Sequence, residues 1–251
     1  MPLGEPSPVA VAALAPHGVL RAAINLSNFL LVTGRDDTGL PTGVSPDMAR
    51  ELARRLAVDI ELRGYRSPGD LADDAVRDAW DVGNIGAEPA RAETIDFTEA
   101  YCEIECTYLV PPGSPIAAID DVDQPGRRVA SAPRAAYDLW LERNLRHAEL
   151  VRSPSLGGSF DLFIDEGLDA LAGLRAALMN DAARLPGSRV LDGTFSSVQQ
   201  AMGTPRGRDH AGFNYLWAFV EEMKTSGFVA DRIVAHGVIG LSVAPPASPP
   251  Q

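Results

Sequence analysis

The sequence predicts an α/β fold. Strand-like apolar runs alternate with helical patterns along most of the chain. The helical stretches repeat apolar residues every three or four positions, and two of them open on Ser-Pro. The 251 residues suffice for one large domain or two small ones. A composition 45% hydrophobic and 22% charged is that of a soluble globular protein whose core needs neither metal nor disulfide.

Residues 1–17 are rich in Pro and Ala and are expected to form a loose arm. Val19–Asn25 is an apolar run suited to a buried strand, and Asp36-Asp37-Thr38-Gly39 is a turn signal. Ser45-Pro46 opens a helix, with Ser45 expected as N-cap and Pro46 at the first helical position. Its apolar face is Met48, Leu52 and Leu56. Val58, Ile60 and Leu62 alternate with charged residues, which marks a half-exposed strand. Ser67-Pro68 starts another helix leading to Ala79-Trp80, and Val82–Gly86 is the next strand. After Arg91, Ile95–Thr98 and Tyr101–Val110 read as extended. A second alternating run has a strand at Val129–Ser131, a helix around Ala135–Leu145 and a strand at Leu168–Gly173. The helix Gly212–Ser226 places Leu216, Val220 and Met223 on one face, and Gly227 ends it. The proline-rich tail from Ala244 to Gln251 is expected to be disordered.

A net charge of -12 argues against a nucleic-acid surface and against anionic membranes. An anionic ligand would need a local positive site. Lys224 is the only lysine, so carboxylate recognition falls to particular arginines. Cys102 and Cys106, four apart on a strand, would lie about 13 Å apart, too far for a disulfide. Two thiols alone also fall short of a zinc site, so both are expected to be reduced and inert, with no metal or cofactor. No apolar run is long enough to cross a membrane as a helix. Val9–Ala15 has no preceding Lys or Arg, so no signal peptide is visible, and a chain complete as given would stay in the cytoplasm.

Four stretches carry a resemblance that runs from Leu20 to Val238. They are Gly39–Ala53 with its Gly-x-x-x-Gly-Val-Ser-Pro-Asp helix entry, Ala90-Arg-Ala-Glu-Thr-Ile-Asp-Phe-Thr-Glu-Ala-Tyr101, Glu166–Leu171, and Lys224-Thr-Ser-Gly-Phe228. Together they resemble the family 3 solute-binding proteins of polar amino-acid ABC transporters; the Arg91–Tyr101 motif is the most specific. The resemblance implies a two-lobed type II periplasmic-binding-protein fold with two crossing hinge strands, near Glu103–Glu105 and near Val198. Lobe one would be 1–104 with 198–251, and lobe two 105–197, with a ligand held in the cleft. It further implies a monomer, a periplasmic location and an ABC-transporter membrane subunit as partner.

By the same resemblance Arg91 clamps the ligand's α-carboxylate. A planar guanidinium suits that task because it offers parallel donors and keeps its proton. The plain alternative is a surface arginine paired with Glu93 or Asp96. Asn84 and Gly86 match positions that hydrogen-bond the same carboxylate, and Phe29 matches the aromatic that covers the ligand's side chain. Asn25 is a weaker candidate nearby. Two departures stand out. Leu174, followed by Arg175, sits where family members carry the acid that receives the ligand's ammonium. Arg134-Ala135 replaces the Gly-Thr/Ser pair at the start of a lobe-two helix. These changes argue against an ordinary zwitterionic amino acid and favour a ligand with at least one carboxylate and room for a second anionic group; a dicarboxylate or a modified amino acid would suit.

No catalytic residue is expected. Two alternatives stay open on the same scaffold: a cyclohexadienyl-dehydratase-like enzyme, with Glu103 and Glu105 as its best acid candidates, and a cytoplasmic ligand-sensing domain. His17, His147, His210 and His236 fall in arms, loops or helix ends.

Overall fold

The computed structural model describes residues 3–247. They divide into two compact units, one built from the chain up to Glu103 and from Gln199 onward, the other from Ile104–Val198.

The first unit begins with a helix where a loose arm was expected. Ser7 caps α1 (Pro8–Leu14): its hydroxyl accepts the Ala10 N–H, and Pro8 occupies the first turn. This is the Ser-Pro start signal again, and the small Ala-rich helix buries Ala10 and Leu14. Next come β1 (Val19–Asn25), the short hairpin strands β2 (Gly34–Arg35) and β3 (Pro41–Thr42), and α2 (Val44–Leu56). The expected N-cap of α2 is corrected. Gly43, at φ 140°, precedes the helix, and a Cβ there would lie 2.3 Å from the Leu31 carbonyl oxygen. Only glycine fits so close an approach. Ser45 therefore lies inside the first turn, where its hydroxyl meets the Tyr101 hydroxyl at 2.9 Å. The unit continues with β4 (Asp59–Tyr65), α3 (Pro68–Asp73), β5 (Val82–Gly86) and β6 (Ile95–Val110), which runs on into the second unit. Ser67 caps α3 as expected, accepting the Asp70 N–H at 3.0 Å.

The second unit holds β7 (Arg128–Ser131), α4 (Ala136–Asn144), β8 (Glu149–Arg152), α5 (Ser159–Asp165), β9 (Ala170–Leu174), α6 (Arg175–Arg184) and β10 (Arg189–Val190). The strand β11 (Ser196–Pro205) carries the chain back, and α7 (His210–Thr225), α8 (Phe228–Ala235) and β12 (Ser242–Val243) complete the first unit.

In the first unit β1 lies between parallel partners β4 and β5, and β11 runs antiparallel to β5. One sheet face buries Leu20, Val82 and Met202 against Met48, Leu52, Leu216 and Phe219, and Leu71, Trp80, Ile85 and Ile95 form a separate core cluster. In the second unit β7 lies between parallel β8 and β9, and β9 pairs antiparallel with β6. Its core clusters centre on Tyr108, Val129 and Leu141, and on Leu109, Phe163 and Leu178. Each such side chain, fully buried, contributes about 1.5–3 kcal/mol.

Two polar features hold the first unit together. Asp81, with no solvent exposure, accepts the backbone N–H, Nε and one Nη of Arg21 at 3.0, 2.9 and 2.7 Å, and a guanidinium N–H of Arg208 at 2.8 Å. Arg55 of α2 bonds Glu51 on its own helix and Glu222 of α7, both at 2.8 Å. The tail is not disordered where it is described. Ser242 and Val243 pair with Glu103 and Cys102, the Ala244 N–H donates to the Tyr101 carbonyl, and buried Lys224 donates to the Pro245 carbonyl at 3.0 Å. Ladder bonds and a buried ammonium order those prolines; residues 248–251 lie outside the described chain. Cys102 and Cys106 are free and buried, and burial pushes the Cys102 thiol well above its ordinary pKa.

Candidate functional site

The first unit gathers its candidate residues at the C-terminal ends of β1 and β5. All five residues of β5 are buried. Asn84 stands beside Ile24 of β1 and Met202 of β11, and Gly86 stands opposite Gln200. Paired residues share a sheet face. The Asn84 side chain therefore shares the face of Ile24 and Met202, whose core neighbours include Ala49, Met48 and Leu52 of α2. Asn84 is 1% exposed, and neither its amide nitrogen nor its amide oxygen meets a hydrogen-bonding partner in the protein. An orphaned buried polar group costs about 1–3 kcal/mol, and native folds keep few of them without a reason.

Immediately after β5 the chain makes a short 3-10 turn at Arg91–Glu93, started by the Arg91 N–H bonding the Glu88 carbonyl. The turn carries the Arg91 side chain back toward the strand end, where one of its Nη groups donates to the Gly86 carbonyl at 2.7 Å. Arg91 is 5% exposed, and Asp96 is engaged by Arg206 at 3.1 Å. Arg91 is thus no surface arginine. Gly86 contributes its carbonyl, which aims the guanidinium.

Asn25 ends β1 in a local turn, its amide oxygen accepting from the Ser27 N–H and hydroxyl at 3.2 and 2.6 Å. Phe29 follows in the loop and is 44% exposed, whereas Asn28, Leu30 and Leu31 around it are buried. A core role for Phe29 is excluded by that exposure.

The second unit places Arg134, Ala135, Leu174 and Arg175 at the C-terminal ends of β7 and β9. Arg134 adopts φ 59°, a left-handed conformation that a non-glycine residue holds at a cost of about 1–2 kcal/mol. Its N–H donates to buried Asp138 at 2.9 Å, and Arg152 binds the same carboxylate at 3.0 Å. Ala135 is the N-cap of α4 and offers no side-chain cap. Leu174 ends β9 and precedes α6. The Arg175 guanidinium bonds Glu105 at 2.6 Å and the carbonyls of Leu191 and Gly193 at 3.2 and 2.5 Å.

Sequence reasoning missed the Arg175–Glu105 ion pair and the Asp138–Arg152 pair beneath Arg134. Both pairs join residues far apart in sequence, 70 and 14 positions, so spacing along the chain gave no signal for either. Two histidines have polar partners of their own: His236 bonds Asp47 of α2 at 2.8 Å and Thr33 at 3.4 Å, and His17 lies 3.6 Å from Asp78.

The family model for bacterial extracellular solute-binding proteins, family 3, matches residues 26–234. The chain belongs to this family. No curated protein sequence matches it. Among solved structures, this family member is similar to a solute receptor for L-cysteine from Neisseria gonorrhoeae, with a TM-score of 0.73 and 20% identity over 92% of this chain and 95% of that one. It is also similar to a mutant of the T. maritima protein ArgBP (TM-score 0.70, 20% identity, 91% of this chain and 99% of that one). A third is an ancestral amino-acid-binding protein described as a precursor of cyclohexadienyl dehydratase (TM-score 0.71, 18% identity, 92% of this chain and all of that one). At these identities the likeness establishes the two-lobed solute-binding fold.

Proposed function

We propose that this solute-binding protein captures a small carboxylate-bearing solute, amino-acid-like or a dicarboxylate, and delivers it to an ABC transporter. The observation that carries this is buried Arg91, aimed by the Gly86 carbonyl at the end of β5. At low exposure the attraction between a cation and a carboxylate is screened less than in water, and a guanidinium can engage a carboxylate through two parallel bonds. Asn84 supplies a second, neutral donor, and exposed Phe29 supplies an apolar face for the rest of the solute. Arg175 contributes little charge to a solute, because Glu105 neutralises it.

Binding without catalysis is favoured over a dehydratase. Glu105, a candidate acid, is ion-paired at 2.6 Å, and a general acid must reach the leaving group. The test is a thermal-shift screen of amino acids, dicarboxylates and aromatic acids. A cognate solute at a hundred times its Kd stabilises the fold by about 2.7 kcal/mol. Turnover of prephenate would instead establish the enzyme.

A further inference from the structure

We propose that residues 242–247 form a strap that holds β6 to the first unit as far as Glu103, and so confines bending of this crossing strand to Ile104 and Glu105. The inference concerns conformation and stands apart from the carboxylate reading above.

β6 is one strand of 16 residues that leaves the first unit after Glu103. A strand offers N–H and C=O groups along two edges. β11 and β9 lie on opposite sides of β6. Contacts with β11 run from the Thr98 hydroxyl, which donates to the Met202 carbonyl at 3.0 Å, to the Ile104 carbonyl, which accepts the Ser197 hydroxyl at 3.5 Å. β12 pairs within that stretch, Ser242 against Glu103 and Val243 against Cys102, so it takes the edge opposite β11. β9 takes up the same edge from Cys106, which stands opposite Leu174. Between these pairings Ile104 and Glu105 have no ladder partner from either strand. A stretch of backbone with fewer ladder bonds is the one that deforms at least cost.

The strap is tied down beyond its ladder. The Ala244 N–H donates to the Tyr101 carbonyl at 3.1 Å, and Ala244 is itself buried. Lys224 of α7 donates to the Pro245 carbonyl at 3.0 Å and pairs with Glu221 at 2.5 Å. The second oxygen of Glu221 accepts the Ala247 N–H at 3.0 Å. The Lys224 side chain is 1% exposed, and an ammonium so buried depends on these acceptors. Tyr101 is fixed in turn, fully buried with its hydroxyl 2.9 Å from that of Ser45 on α2. The last first-unit residues of β6 are thereby linked to α7 through the strap and to α2 through Tyr101. Bending at Cys102 or Glu103 would have to break the strap; bending at Ile104 and Glu105 leaves it whole. The strap lies beyond residue 234, where the match to the family model ends.

The experiment needs no solute, so its failure leaves the Arg91 reading untouched. Spin labels go on Asp37→Cys and Asp165→Cys, exposed positions of the first and second units. The native thiols are buried and escape labelling. Pulsed electron resonance then reads the distribution of label separations in the solute-free protein. Three chains are compared: the full chain, a chain ending at Gly240, and the full chain carrying Lys224→Met. In both altered chains the distribution should widen by at least about half, and the amides of Tyr101–Glu103 should exchange hydrogen at least about tenfold faster. Faster exchange with an unchanged distribution would overturn the proposal, because the strap would then hold β6 without confining its bend. Unchanged exchange would overturn it too, because β6 would not depend on the strap. Should the shortened chain fail to fold, Lys224→Met decides by the same two readings.

Discussion

Replacing Asp81 with alanine should be among the most damaging single changes in the first unit. Its carboxylate is fully buried and accepts three N–H groups of Arg21 and one of Arg208. Arg21 is 8% exposed, and the hydrogen bond to Asp81 raises its pKa above the ordinary arginine value. Without Asp81 that guanidinium stays buried without its principal partner, which costs about 3–5 kcal/mol. Asp78, which also contacts both arginines at 2.8 and 3.1 Å, offsets part of the loss. The expected value is therefore near the low end, about 3 kcal/mol. Asp78→Ala, at a carboxylate 63% exposed, should cost under about 1 kcal/mol. Urea unfolding monitored by two probes measures both, with m unchanged. Solute binding should survive, because Arg21 is the third residue of β1 and the candidate site lies at the strand's other end. A loss below about 1 kcal/mol for Asp81→Ala would refute the claim that this cluster secures the sheet.

Acid should weaken the first unit in a predictable window. The Arg55 hydrogen bond holds Glu222 below the ordinary carboxylate range, and Arg54 and Arg55 do the same for Glu51. A depressed folded pKa stabilises above the unfolded value, about 4.3, and that contribution is lost as pH falls through the folded value. Glu222→Gln should thus melt below wild type at pH 6, and the gap should close below about pH 4; a gap constant with pH would contradict this. Backbone geometry gives an opposed pair. Ala57 caps α2 at φ 54°, so Ala57→Gly should stabilise by about 1 kcal/mol. Gly43→Ala should destabilise by at least about 2 kcal/mol, from φ strain and contact with Leu31. Denaturant midpoints read both.

Much of the fold was legible because period and punctuation agree. Val19–Asn25, Val82–Gly86 and the Ser67-Pro68 helix start all lie where apolar pattern and capping chemistry put them. The failures have physical causes. Ser7-Pro8 carried the same start signal as Ser67-Pro68, yet the surrounding prolines outweighed it. At Ser45-Pro46 the signal misled, because contact with Leu31 demands Gly43 at the helix entrance. The prolines of 245–246 were read by composition, and a buried Lys224 orders them through a carbonyl that proline retains. At the site, sequence named Arg91 and Asn84. It could not reveal that one is aimed by a backbone carbonyl and the other buried unpaired, since both facts depend on the sheet register. Arg175 looked like free positive charge because its partner, Glu105, is distant in sequence.

The central claim is that one buried guanidinium anchors the solute. Isothermal titration of the best solute from the screen, into wild type and Arg91→Ala, tests it most directly. Removing one partner of a buried, hydrogen-bonded charge pair costs about 2–5 kcal/mol, a loss of roughly thirtyfold to a few thousandfold in Kd. Affinity within a factor of about three of wild type, from a variant with an undiminished melting temperature, would contradict the account.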